Sequence, residues 1–178
     1  NKTAATAPLI SDVVTRVGPL GAVGGVAAGE IAALGASIVG AGINSEMGAT
    51  GIKNLILALT SGESATKTQA GAFAALGLDA VEMSEYMQKD AKGAILTVLE
   101  GLKGLDKAKQ ASVLKDLFGK ESLGAISPLI SNLDELKNNF ERVADKSKYA
   151  NSMEDEFQEK SKTTSNSVML MDNSIKAV

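Results

Sequence analysis

Few residue types in this chain could carry chemistry, and most of those are carboxylates. There is no cysteine and no histidine. A Ser-His-Asp triad, a Cys-His pair, a disulfide and a histidine- or thiolate-ligated metal are therefore excluded. Glu30 with Glu46, and Glu82 with Glu85, remain for acid–base work. Two carboxylates can cut a glycosidic bond when a cleft with sugar-binding groups holds the substrate between them. The neighbouring residues argue for plainer roles. Asp79 and Glu82 have the i, i+3 spacing of a capping box, and Glu85 falls on a solvated helix position. Lys103, Lys107 and Lys109 could touch phosphate, but Glu100 and Asp106 interleave with them, as on a solvated helix face. Aromatics make up 3% of the chain and tryptophan is absent, which removes the usual stacking platforms for sugars and single-stranded nucleic acid. A net charge of −3 and a pI near 5.1 argue against a general nucleic-acid binder. The residues point to no catalytic, cofactor-binding or metal site and to no cofactor.

The elements that would position these side chains are all helical. No strand-like alternation appears, and the pattern predicts an all-α fold: a multi-helix bundle of short, glycine-punctuated helices, extended by a longer C-terminal helix. Glycine and charge divide the chain unequally. Thirteen of the 18 glycines precede residue 78, whereas residues 91–178 hold 13 basic and 13 acidic residues against 5 and 8 in residues 1–90. A glycine/alanine-rich part over 1–77 and a charged helical part over 78–146 are thus expected within one core domain, 1–146. Residues 147–178 are expected as a helical extension. The chain starts at Asn1, and the last helix reaches Val178 without a stop signal, as expected of a piece of something longer.

Taken in order, Pro8 suits a first helical position ahead of the stripe Leu9, Ile10, Val13, Val14 and Val17, and Gly18-Pro19 is expected to interrupt that helix. The segment 17–43 carries one charge, Glu30, and has Gly21, Gly25 and Gly29 at membrane-helix spacing. Its apolar residues are mostly alanine and glycine, so close packing in a core is the reading preferred to a span. Helices are expected over 28–41, with Ile31, Leu34 and Ile38 inward, and after an Asn44 or Ser45 cap, with Ile52, Leu55, Ile56 and Leu59 inward. Ser64 is expected to cap 65–76, which buries Phe73 and Leu76. Asp79 is expected to cap 80–89, with Val81, Met83, Tyr86 and Met87 as its apolar side, and Asp90 to cap 91–102. Gly104 should break that last helix, and Asp106 should cap the next.

The stretch ASVLKDLFGKESLGAISPLI, Ala111 to Ile130, looks like the organising element. It reads as one amphipathic helix, a left-handed glycine cap at Gly119, and a second helix turned back on the first with Pro128 as a kink or an end. Asn132 or Asp134 would cap a further helix with the seam Leu133, Leu136, Phe140 and Val143.

This stretch also carries a resemblance. LFGKESLGAISPLI resembles the LFG-(R/K)-x-(A/S)-x-x-(A/G) helical break of phage tail tape measure proteins, found in long-tailed phages and prophages. Residues 26–61, VAAGEIAALGASIVGAGINSEMGATGIKNLILALTS, resemble a second block of that family. The two blocks stand in the right order and separation, and neither is catalytic. The resemblance implies a structural scaffold segment that fills the tail tube lumen, templates tail assembly and sets tail length. It implies tail tube protein and tail assembly chaperones as partners. The expected locations are the virion tail lumen and, during assembly, the bacterial cytoplasm, with membrane contact only on ejection. Read from the residues alone, the C-terminal helix should lie on the domain or pair with another copy. Two other classes stay open: a membrane-active helical protein acting in envelope penetration, and a helical peptidoglycan hydrolase domain working through Glu30 and Glu46.

Overall fold

The computed structural model describes residues 6–144. Among them are nine α-helices, two short 3-10 turns and no strand, and the all-α expectation holds. In chain order the helices are α1 (Ala7–Gly24), α2 (Ala28–Gly40), α3 (Ser45–Leu59), α4 (Lys67–Ala75), α5 (Ala80–Lys89), α6 (Ala91–Lys103), α7 (Lys107–Phe118), α8 (Leu123–Ser131) and α9 (Leu133–Ala144). The helical extension expected over 147–178 lies outside the described residues.

The helix at the centre is α3, rather than the 111–130 stretch. Its face Ile52, Leu55, Ile56 and Leu59 is fully buried, each side chain contributing roughly 1.5–3 kcal/mol relative to exposure. Helices α1, α2, α7 and α8 all pack around it. Glycine permits the closest approaches in this group. A Cβ at Gly51 would sit 2.5 Å from the Cβ of Ala125 on α8, and one at Gly35 would sit 3.1 Å from a Val13 methyl on α1. Gly21 abuts the Ile31 side chain, and Gly24 that of Ile56. Gly21 and Gly35 thus make close approaches between α1 and α2, Gly24 between α1 and α3, and Gly51 between α3 and α8. The membrane-type spacing does not describe these positions: Gly25 is a turn residue, with φ 78° and ψ 17°, that caps α1.

That cap at Gly25 splits the weakly charged 17–43 segment into two helices. Among the described residues, no helix is long and apolar enough to cross a membrane. Gly18-Pro19, in contrast, does not interrupt α1, which runs through it to Gly24. Proline disfavours helical geometry in the residue before it largely through that residue's Cβ, and Gly18 has none. Val13, Val17, Gly21 and Gly24 keep one buried face across the proline. Pro128 likewise sits inside α8, which ends three residues later at Ser131.

Most helix starts follow the short polar side chains. Asn44 accepts from Met47 N–H, Asp90 from Gly93 N–H and Asp106 from Lys109 N–H. Asp79 accepts from the N–H groups of Val81 and Glu82. Val81 and Tyr86, expected inward on α5, are 38% and 36% exposed, so Met83 and Met87 form its buried side. The cap of α4 is Thr66 rather than Ser64: its hydroxyl accepts from Gln69 N–H while the Gln69 side-chain Oε1 accepts from Thr66 N–H. Ser64 closes a 3-10 turn instead. On α9, Leu133, Leu136 and Phe140 are buried. Asn139 donates to Ser37 of α2 at 2.9 Å, and Lys137 pairs with Glu100 of α6 at 2.7 Å.

A polar tie fixes α1 to the start of α3. Ser45 donates to Asp12 at 2.6 Å, and the Arg16 guanidinium reaches both Asp12 oxygens at 3.0 Å. The Ser45 hydrogen bond, then Arg16, hold the Asp12 carboxyl below its ordinary range. A depressed carboxyl adds stability above its unfolded value, and that contribution is lost as pH falls through the lowered folded value. Asp12→Asn should therefore be less stable than the parent chain at neutral pH, and the two thermal melts should converge in acid as the pH falls through the lowered folded value. A melting difference that persists unchanged in acid would contradict this assignment.

Candidate interaction surface at the Gly119 bend

The carboxylates that could have done chemistry are used locally or lie in solvent. Glu30 accepts from the Ala27 N–H at the start of α2, at 2.9 Å. Glu46, Glu82 and Glu85 are exposed helix positions. Of the residues interleaved with Lys103, Lys107 and Lys109, Asp106 caps α7 and Glu100 pairs with Lys137.

The most highly built local arrangement is instead the bend between α7 and α8. Gly119 has φ 84° and ψ 156°. This is not the left-handed cap expected of it but an extended positive-φ region that is essentially closed to other residues. Helix α7 ends there with unsatisfied carbonyls, and side chains supply the missing donors. Gln69 of α4 donates to the Leu117 carbonyl at 3.3 Å, and the Ser122 hydroxyl donates to the Phe118 carbonyl at 2.8 Å. Asn54 of α3 then donates to Ser122 Oγ at 2.8 Å and to Glu121 Oε1 at 3.3 Å. Ser122 is wholly buried. Helix α8 packs chiefly on α3, with further contact to α2 and α6, so it is not simply folded back on α7.

A shallow cleft of about 460 Å³ opens beside the bend. Leu57, 52% exposed, gives it an apolar patch, and Asn54, Gln69, Lys115, Asp116 and Glu121 give it a polar rim. Amides, both charge signs and an apolar patch suit contact with another polypeptide. Asn54 and Gln69 were not singled out in the sequence, and Ser122 entered only as the (A/S) position of the LFG motif. For Gln69 the signal was present, since Thr66 and Gln69 have capping-box spacing. Asn54 pairs with a residue 68 positions away, and no local pattern marks it.

Comparison with known proteins agrees with the two sequence blocks. A family model for phage-related minor tail proteins matches residues 1–119. The chain is 36% identical over 148 residues to the probable tape measure protein of Halomonas phage phiHAP-1, a match covering 83% of this chain and 17% of that protein. It thus spans less than a fifth of that relative's length. No solved structure matches. With that family match, which holds the first block whole and the second as far as Gly119, the 36% identity to a tape measure protein and an all-helical fold, the chain belongs to the phage tail tape measure family of phage-related minor tail proteins.

Proposed function

We propose that this chain is a non-catalytic, structural segment of a tail tape measure protein. In this reading it fills the tail tube lumen, templates tail assembly and helps to set tail length. Tube subunits and tail assembly chaperones are its partners, and it recognises no nucleic-acid sequence. It resides in the virion tail after assembly in the bacterial cytoplasm, and it meets a membrane only on ejection. Residues 1–146 act as the helical core domain and 147–178 as a helical extension that supports self-association. The observation that carries the reading is the 36% identity over 148 residues to a protein named a probable tape measure protein.

Tail length tests it directly. An in-frame duplication of residues 6–144 in the parent gene should lengthen tails measured by electron microscopy. The gain should be about 200 Å if the added residues run as straight helix at 1.5 Å each. It should be nearer 35–40 Å, roughly one domain diameter, if the copy stays folded. Normal tails of unchanged length would overturn the length-setting reading for this segment.

A further inference from the structure

We propose that Gly119 is a one-residue hinge, and that α7 and α8 interconvert between the bend described above and one continuous helix over residues 107–131. Three independent observations converge on it. First, the bend is confined to a single backbone position. The Gly119 N–H still makes the helical bond to the Lys115 carbonyl, at 2.9 Å. Lys120–Ser122 form a 3-10 turn, Ser122 has φ −88° and ψ −11°, and Leu123 is fully helical. Gly119 alone lies far from helical dihedrals, at φ 84° and ψ 156°.

Second, the side chains that hold the bend occupy the places of helix donors. In a continuous helix the Leu117 carbonyl would accept from Glu121 N–H and the Phe118 carbonyl from Ser122 N–H. Here Gln69 and the Ser122 hydroxyl take those two places, and Asn54 anchors Ser122 from α3. Straightening would exchange side-chain hydrogen bonds for backbone ones and leave both carbonyls satisfied.

Third, one line of buried residues continues across the bend. Leu114, Phe118, Ser122, Ala125 and Leu129 are all buried, and their 4-4-3-4 spacing would form one seam on a straight helix, with the buried Val113 and Leu117 flanking it on one side and Ile126 and Ile130 on the other. The sequence is thus compatible with both shapes, and tertiary ties to α3 and α4 select the bent one. A residue that absorbs a large dihedral change between two packed arrangements is what a hinge requires. If the proposed scaffold role holds, the hinge lets part of the compact fold lengthen; this use rests on that reading, whereas the hinge itself does not.

The chain has no cysteine, so Lys109→Cys with Ser131→Cys gives two unique, exposed positions for spin labels on the full chain. A continuous helix would place their backbones about 33 Å apart, farther than any bent form. Gly119→Ala, which cannot hold the bend's dihedrals, should add a population near that distance while helical circular dichroism is retained. Asn54→Leu, which leaves the α7–α8 backbone untouched, should add a smaller one. If both variants keep only the short distance of the parent chain, the hinge is overturned. If Gly119→Ala loses its helical signal, Asn54→Leu decides alone: a long-distance population supports the hinge, and its absence rejects it. A rigid bend here would leave the tail-length result untouched, and an unchanged tail length would leave this distance measurement untouched.

Discussion

Replacing Phe140 with alanine is expected to lower the stability of the chain by about 3–5 kcal/mol, the range for emptying a buried phenylalanine site. For a domain of this size that is a fall in melting temperature of about 10–15 °C. Phe140 is 1% exposed on α9 and stands one residue beyond Asn139, whose amide is bonded to Ser37 of α2. The site cannot collapse easily, because the ties from Asn139 to Ser37 and from Lys137 to Glu100 hold the turn before it. The expected effect depends on α9 being part of the folded core. A melt lowered by less than 1 kcal/mol would mean that α9 detaches readily and that the core ends before Leu133.

Gly119→Val is expected to cost about 1–3 kcal/mol, the penalty for a residue forced into a region reserved for glycine. A β-branched side chain has no low-energy state at φ 84° and ψ 156°. The clash with neighbouring atoms is the smaller part. An added Cβ would meet the Glu121 carboxylate at 2.6 Å, but that is the end of an exposed, flexible side chain. Gly119→Val combined with Glu121→Ala should therefore recover little of the loss in a chemical denaturation series. Full recovery would place the cost in the contact and not in the backbone.

The sequence made some of this fold readable because local chemistry decides it. Asn44, Asp79, Asp90 and Asp106 mark helix starts because a short polar side chain ahead of an apolar period has one good use. The face Ile52, Leu55, Ile56 and Leu59 was legible from its period, and all four are buried. Gly18-Pro19 misled because the features that signal a break also let a proline sit in a helix when packing holds both sides. At Gly119 the sign of φ was legible, but ψ was set by what α8 must reach on α3. The ties from Asn54 to Ser122 and from Gln69 to Leu117 span 68 and 48 residues. Such pairings are properties of the assembled bundle, and a single sequence gives them no periodic trace. The same holds for the close approach at Gly51, whose partner Ala125 is 74 residues away and leaves no local trace.

The contact between Gly51 and Ala125 also sets an order of events during synthesis. Helices α1, α2 and α3 are neighbours in the chain and pack on one another, so they can associate as soon as they leave the ribosome. The side of α3 that meets α8 must wait until Ala125 has been made, 74 residues after Gly51. At 5–20 residues per second that delay is about 4–15 s. Helices of this kind form within microseconds, so α1, α2 and α3 have time to meet while that side of α3 is still uncovered. The nascent chain therefore presents an apolar stripe around the bare backbone of Gly51, long-lived on the scale of molecular collisions.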